Sequence, residues 1–148
     1  MPVSTRERYL GSIRRELAYF REDADSAVAR AWFDSLATLD RIVAVCREHR
    51  VPLAVVVQPS HPQVSRAMLE EGARSAGIDP DTLDVTVPQR KFAGTPRSDL
   101  PPAFQRAARD RDPDGFYLNN DTHWSVSGNE VAARELAEFV ADQLSALR

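Results

Sequence analysis

The sequence contains three histidines, and one of them stands in a pattern that could transfer a proton. Asp121 precedes His123 by two residues, so in an extended loop its carboxylate can accept a hydrogen bond from one imidazole nitrogen. Such a bond fixes the tautomer and stabilises the imidazolium, which leaves the other nitrogen to act as a general base. In the alternative interpretation, Asp121 satisfies backbone amides of the loop and Trp124 fills a core. The spacing alone leaves both interpretations open.

His61 and Ser60 lie just after an apolar segment, at the predicted carboxyl end of a buried strand. Open α/β sheets bind ligands at that end of their strands, so His61 is a candidate for substrate contact or support. Ser60 is the serine expected on the same side of the sheet and is the candidate nucleophile. A zinc site built from His61, Asp121 and His123 would have three ligands of suitable type, but its spacing matches no metal motif. We predict neither a metal nor a cofactor.

Length and composition restrict the function further. The chain has 148 residues, which indicates a single domain, and its 19 basic and 22 acidic residues give a net charge of −3. This charge argues against nucleic acid or a membrane surface as the partner. The only cysteine is Cys46, which excludes an internal disulfide framework. The chain has no apolar run of about 20 residues, and no signal peptide is recognisable in residues 1–20. We therefore expect a cytoplasmic location.

Helical periodicity of apolar residues is clear in several segments. It predicts helices over residues 4–20, 25–49 and 63–76, the last ended by Gly77 in the cap position. Ser127 and Glu130 fit a capping box at the start of the last helix. Its expected apolar face consists of Ala132, Leu136, Phe139, Val140, Leu144 and Leu147.

Two segments have the pattern of strands. Residues 51–58 form an apolar run rich in branched side chains, typical of a parallel strand buried on both faces. Residues 83–88 alternate as a short strand would, residues 89–98 are expected to form an exposed loop, and Asp99 is expected to cap a helix over residues 100–109. Two strands make a thin sheet with unpaired edges. We expect a partner chain or a larger fold to complete it.

The block from Asp121 to Trp124, followed by Ser127, Gly128 and the apolar residues 131–133, resembles part of a known family. It is similar to the C-terminal block of the SGNH (GDSL-like) hydrolases, in particular the branch similar to alginate O-acetyltransferases. The resemblance covers roughly residues 32–147. It implies a parallel sheet between helices and transfer or hydrolysis of acyl esters, often acetyl groups on sugars. By position, His123 corresponds to the catalytic base, Asp121 to its orienting acid, and Trp124 and Gly128 to the supporting frame.

The sequence departs from this family because it contains no Gly-Asp-Ser block, which carries the nucleophilic serine. We therefore predict an α/β fold, an incomplete three-layer SGNH-like (flavodoxin-like) sandwich with a small parallel sheet and flanking helices. Residues 1–24 would form an N-terminal helix and residues 25–148 the SGNH-like region of a single domain. The predicted function is esterase or O-acyltransferase chemistry that is inactive without an external nucleophile.

Two further expectations concern alternatives and partners. A degenerate hydrolase fold could instead serve as a non-catalytic module that binds a carbohydrate or a protein, with Trp124 stacking on a sugar. The predicted partners are a small acyl ester or carbohydrate substrate, and a second copy or another chain that completes the sheet. Nucleic acid and membrane are not expected partners.

Overall fold

The computed structural model of the chain describes residues 4–22, 25–93 and 97–146. The chain order of its helices and strands is α1 (Thr5–Leu17), α2 (Ser26–Glu48), β1 (Val55–Val57), α3 (His61–Val64), α4 (Arg66–Ala76), α5 (Val87–Lys91), β2 (Arg97–Asp99), α6 (Pro101–Ala107) and α7 (Val126–Ala146). Short 3₁₀ turns cover Ala18–Phe20, Pro80–Thr82 and Pro113–Phe116. In the described part of the chain, no helix is long and apolar enough to cross a membrane.

The first core lies between α1 and α4. Ser4 and Glu7 form a capping box that starts α1, which confirms the helix predicted over residues 4–20. A Cβ atom on Gly72 of α4 would lie 2.5 Å from Ile13 Cγ2, so glycine allows the two helices to approach closely. The buried residues of this cluster are Tyr9, Ile13, Leu17, Phe20, Met68, Leu69 and Ala73.

The second core joins α6 and α7 to the segment between them. Leu100 begins this cluster, and its N–H donates to the carbonyl of Val57 at 3.2 Å, which ties α6 to the end of β1. The cluster contains two phenylalanines, Phe104 and Phe116, in an edge-to-face contact at 5.6 Å. Its buried members are Leu100, Ala103, Phe104, Phe116, Tyr117, Val131 and Ala132.

The sheet differs from the prediction in the position of its second strand. In the described residues, β1 pairs in parallel with β2, with Val55 opposite Arg97 and Val57 opposite Asp99. The strand predicted over residues 83–88 is wrong, because the Asp84 carboxylate accepts hydrogen bonds from the backbone and hydroxyl of Thr86 and turns the chain there. The predicted loop over residues 89–98 is wrong at both ends, where it contains the end of α5 and part of β2, while its residues 94–96 lie outside the described part. The α/β class is retained, and the described residues form two short strands and mostly helix.

The segment around β1 is shorter and more exposed than predicted. Only three of the residues from 51 to 58 form a strand. The expectation of burial on both faces is wrong, since Val56 is 41% exposed while Val57 is buried. Helix α3 begins at His61, before the predicted helix over residues 63–76, and that predicted helix is interrupted at Ser65, whose side chain caps α4.

The remaining helices form in the segments where the apolar periodicity predicts them, but some of them begin or end at other residues than predicted. The Asp25 carboxylate caps α2 by accepting two backbone N–H groups, and Gly77 ends α4 in the left-handed conformation. Helix α7 begins one residue before Ser127, and Ser125 accepts the Gly128 N–H at 3.3 Å, so the predicted capping box at Ser127 is wrong. Asp99 likewise belongs to β2 and does not cap α6. Several large apolar residues of α2 and α7 are exposed, namely Phe33, Ile42, Val45, Val126, Val140 and Leu144. Leu147 lies outside the described residues.

Candidate active site

A tight hairpin carries the two residues predicted to transfer a proton. Tyr117 and Trp124 form an antiparallel bridge, and the N–H of Leu118 donates to the carbonyl of His123 at 2.9 Å. Asn120 turns the chain with a φ of 55°, a left-handed conformation that asparagine tolerates better than most residues. Asp121 then closes the turn by donating its N–H to the Leu118 carbonyl at 3.1 Å.

Within this hairpin, Asp121 and His123 form the hydrogen bond that the sequence predicts. One carboxylate oxygen, Asp121 Oδ1, lies 2.6 Å from His123 Nδ1 and accepts the His123 backbone N–H at 3.0 Å. The hydrogen bond from the imidazole, together with backbone hydrogen bonds, holds the pKa of Asp121 below its usual range. The carboxylate is therefore ionised at neutral pH and favours the tautomer with the proton on Nδ1, which leaves Nε2 as the acceptor of a neutral imidazole. Their catalytic roles stay predictions.

The imidazole of His123 faces solvent at the carboxyl end of β1. Its side chain is 82% exposed and borders an open cleft of about 320 Å³. This end of a parallel strand is where α/β folds place their ligands. The cleft is lined by Gln58, Pro59, Thr122, His123, Trp124 and Asn129.

Trp124 and Gly128 hold the hairpin against the second core. The indole of Trp124 is half-buried and packs on the Phe104 ring at 5.2 Å between centroids. A Cβ on Gly128 would lie 2.3 Å from the carbonyl oxygen of Phe116 and 3.0 Å from Trp124 Cβ, so only glycine fits there without a shift. Ser125 adds a hydrogen bond from its hydroxyl to the Gly115 carbonyl at 2.6 Å.

His61 is buried and borders a different pocket from the cleft of His123. It is 6% exposed and stacks on the Tyr117 ring at 4.2 Å between centroids. Its Nδ1 accepts a hydrogen bond from the hydroxyl of Tyr9. The ring proton is therefore on Nε2, which lies 2.9 Å from Asp114 Oδ1. Burial lowers the pKa of His61, although the Asp114 carboxylate opposes this effect. Both ring nitrogens are thus occupied.

The contacts of His61 also bear on the alternative of a zinc site built from His61, Asp121 and His123. Because Tyr9 and Asp114 occupy the ring nitrogens of His61, this histidine does not join Asp121 and His123 in one ligand set. In the three described ranges, no group of three histidine, cysteine or acidic side chains is placed to hold a metal ion. Tyr9 and Asp114 were missed by sequence reasoning because they lie 52 and 53 residues from His61.

Ser60 occupies a separate position beside Glu16, a half-buried glutamate. Its Oγ is enclosed and makes no hydrogen bond of standard geometry, and the same holds for Glu16 Oε2. Burial raises the pKa of Glu16, and the contact with Ser60 opposes that rise. Among the side chains that the structure describes, no serine hydroxyl is hydrogen-bonded to His123, whose bond is to Asp121. The nucleophile role of Ser60 stays a prediction.

Comparison with known proteins adds one finding that bears on this site. The family described as SGNH hydrolase-like domain, acetyltransferase AlgX, matches residues 18–148. This range contains β1, the hairpin and the cleft, and it begins after α1. The match confirms the resemblance drawn from the block around Asp121 and His123. No curated protein and no solved structure matches the chain.

Proposed function

Because the chain belongs to the family of SGNH hydrolase-like domains typified by the acetyltransferase AlgX, we propose that it provides the base and orienting acid of an acyl-transfer site. The reaction is of esterase or O-acyltransferase type on small acyl esters, including those of carbohydrates. The observation that carries this proposal is the 2.6 Å contact between Asp121 Oδ1 and His123 Nδ1 beside an open cleft. We also propose that the complete fold around this site is a three-layer sandwich, with helices on both faces of a parallel sheet.

The chemistry follows from the geometry of this pair. A hydroxyl in the cleft transfers its proton to His123 Nε2 while its oxygen attacks the acyl carbonyl carbon. Asp121 stabilises the imidazolium through Nδ1–H, and the imidazolium then returns the proton to the leaving oxygen as the old ester bond breaks. A positioned general base of this kind contributes about 10²–10⁴-fold to the rate.

The serine nucleophile is proposed to come from outside the described side chains. The sequence has no Gly-Asp-Ser block, and Ser60 faces Glu16 rather than lining the cleft. The chain by itself is then expected not to hydrolyse small acetyl esters through an acyl-enzyme. Burst-phase acetylation of the protein that disappears in both Ser60→Ala and His123→Ala would contradict this part of the proposal.

The base function is tested by supplying the hydroxyl from solution. Transfer of the acetyl group from p-nitrophenyl acetate to an added alcohol is followed for the wild-type chain and for His123→Ala. We expect the protein-catalysed rate to fall about a hundredfold, the low end of the range for general-base catalysis. His49→Ala is the matched control, because His49 is also exposed but lies at the C-terminal end of α2, outside the residues that line the cleft. Equal losses in both variants would refute a special role for His123.

We also propose that a second copy or a partner chain completes the sheet. Within the described residues β1 pairs only with β2, and Val56 on β1 is 41% exposed. An unpaired edge with exposed branched residues favours addition of a strand. Light scattering after size-exclusion chromatography tests this, and a monomer at all accessible concentrations would count against self-association.

The second candidate function is a non-catalytic module that binds carbohydrate. It is favoured by Trp124, which borders the cleft with part of its indole still accessible. In a Trp32→Phe background, Trp124 is the only fluorescent indole of the 2 tryptophans. A saturable fluorescence change with oligosaccharides, without any His123-dependent transfer, would favour this candidate.

A further inference from the structure

We propose that Arg6 is a positioning residue for the Asp121–His123 pair and that it acts through Asn120. The inference rests on the proposed function only in taking this pair as the reacting groups. Arg6 belongs to α1, which precedes the residues matched by the family. The resemblance to that family therefore gives no information about it.

The contact between Arg6 and the hairpin joins residues that are far apart in sequence. Arg6 Nη1 donates to Asn120 Oδ1 at 3.0 Å, across a separation of 114 residues. Asn120 is the residue with a φ of 55° at the corner of the turn. Because this conformation is unfavourable for residues with a Cβ, a side-chain hydrogen bond that holds it has a direct effect on the turn.

Arg6 is itself held on the first core. Its other terminal nitrogen, Nη2, pairs with Glu71 of α4. Its guanidinium lies 5.6 Å from the centroid of the Tyr9 ring, within range of a cation–π contact. Tyr9 is fixed in turn by its hydrogen bond to the buried His61. Arg6 thus links the core between α1 and α4 to Asn120 at the corner of the hairpin.

The pair needs such an external support because it is exposed. The His123 side chain is 82% accessible and that of Asp121 45%, so the core does not fix their rotamers. Asp121 directly follows Asn120, and its carboxylate makes both bonds to His123. A rotation at Asn120 therefore turns the carboxylate away from the imidazole.

The test follows the carboxyl carbon of Asp121 by ¹³C NMR through a pH titration. Variants Arg6→Ala, Asn120→Gly and the double variant form a double-mutant cycle. Glycine at position 120 tolerates the left-handed backbone but removes the acceptor of the Arg6 bond. We expect the pKa of Asp121 to rise towards the ordinary aspartate value of about 3.9 in each single variant. The double variant should show no further rise, because both changes break one contact.

The cycle separates positioning from simple charge. If Arg6 acted only through its charge, Arg6→Ala would raise the pKa of Asp121 equally in both backgrounds, and this result would overturn the proposal. An unchanged Asp121 titration in Arg6→Ala or in Asn120→Gly would overturn it as well. Asp84, whose pKa is lowered by its contact with Thr86, serves as an internal reference that should not move. Arg14→Ala, an exposed arginine on the same helix, is the matched control.

This result is distinguishable from failure of the proposed function. If the titrations respond as expected while acetyl transfer is independent of His123, the proposed function fails and the positioning role of Arg6 stands. If acetyl transfer depends on His123 but the pKa of Asp121 is unchanged in both Arg6→Ala and Asn120→Gly, the positioning role fails and the proposed function stands.

Discussion

Replacing Gly128 with alanine should destabilise the protein through a single steric contact. The added Cβ would lie 2.3 Å from the carbonyl oxygen of Phe116, which is about 1 Å inside ordinary van der Waals contact. The Cβ would be attached directly to the backbone of α7 and the Phe116 oxygen is also a backbone atom, so neither can move aside by changing a side-chain rotamer. We therefore place the cost near 3 kcal/mol, the upper end of the range for overpacking.

The gain in helix propensity offsets part of this cost. Alanine is favoured over glycine inside a helix by about 1 kcal/mol, which leaves a net loss of about 2 kcal/mol in the free energy of unfolding. For a chain of this size the loss corresponds to a decrease in Tm of about 4–8 °C. Thermal unfolding followed by circular dichroism measures it directly.

The control for this prediction is Gly115→Ala. A Cβ at Gly115 would meet no atom within 4 Å, and its backbone does not require glycine. We expect a change within about 0.5 kcal/mol, as for ordinary surface substitutions. If Gly128→Ala were as stable as the wild type, or if Gly115→Ala were equally destabilised, α7 would not pack against the Phe116 carbonyl as the structure shows.

Two further predictions concern the buried His61. Burial lowers the pKa of His61 in the folded protein below its value in the unfolded chain, so the contribution of His61 to stability is complete above about pH 6.5 and is lost as the pH falls below that value. Between pH 7.5 and 5.5, the free energy of urea unfolding should therefore fall more steeply for the wild type than for His61→Gln. Parallel pH dependences of the two proteins would contradict this prediction. Tyr9→Phe removes the hydroxyl that donates to His61 Nδ1 and should lower the free energy of unfolding by about 1–3 kcal/mol, the cost of a buried unsatisfied acceptor; Tyr19→Phe, at an exposed tyrosine, should leave the urea midpoint unchanged.

The sequence was sufficient to predict those features that depend on neighbouring residues. Helical periodicity located α1 and α2, and the spacing of Asp121 and His123 predicted their hydrogen bond, because the two residues lie within one turn. The strand expected over residues 83–88 failed for a local reason: the Asp84 side chain competes for the backbone and forms a turn.

Contacts between distant segments could not be predicted in the same way. Tyr9 occupies a position on the apolar stripe of α1, and its pattern gives no sign of the bond to His61. Asp114 lies in a charged turn with the same limitation. The link from Arg6 to Asn120 likewise arises only when α1 packs on α4 and the hairpin folds beside it. Tertiary packing decides these contacts.

The proposed reaction depends on the orientation of His123 by Asp121, and the variant Asp121→Asn removes that orientation. The substitution keeps the shape of the side chain but removes the charge that holds the proton on Nδ1. In the assay of acetyl transfer to an added alcohol, we predict that Asp121→Asn lowers the rate nearly to that of His123→Ala, while Asp84→Asn leaves it unchanged. A wild-type rate in Asp121→Asn would mean that the Asp121 carboxylate does not orient the imidazole for proton transfer.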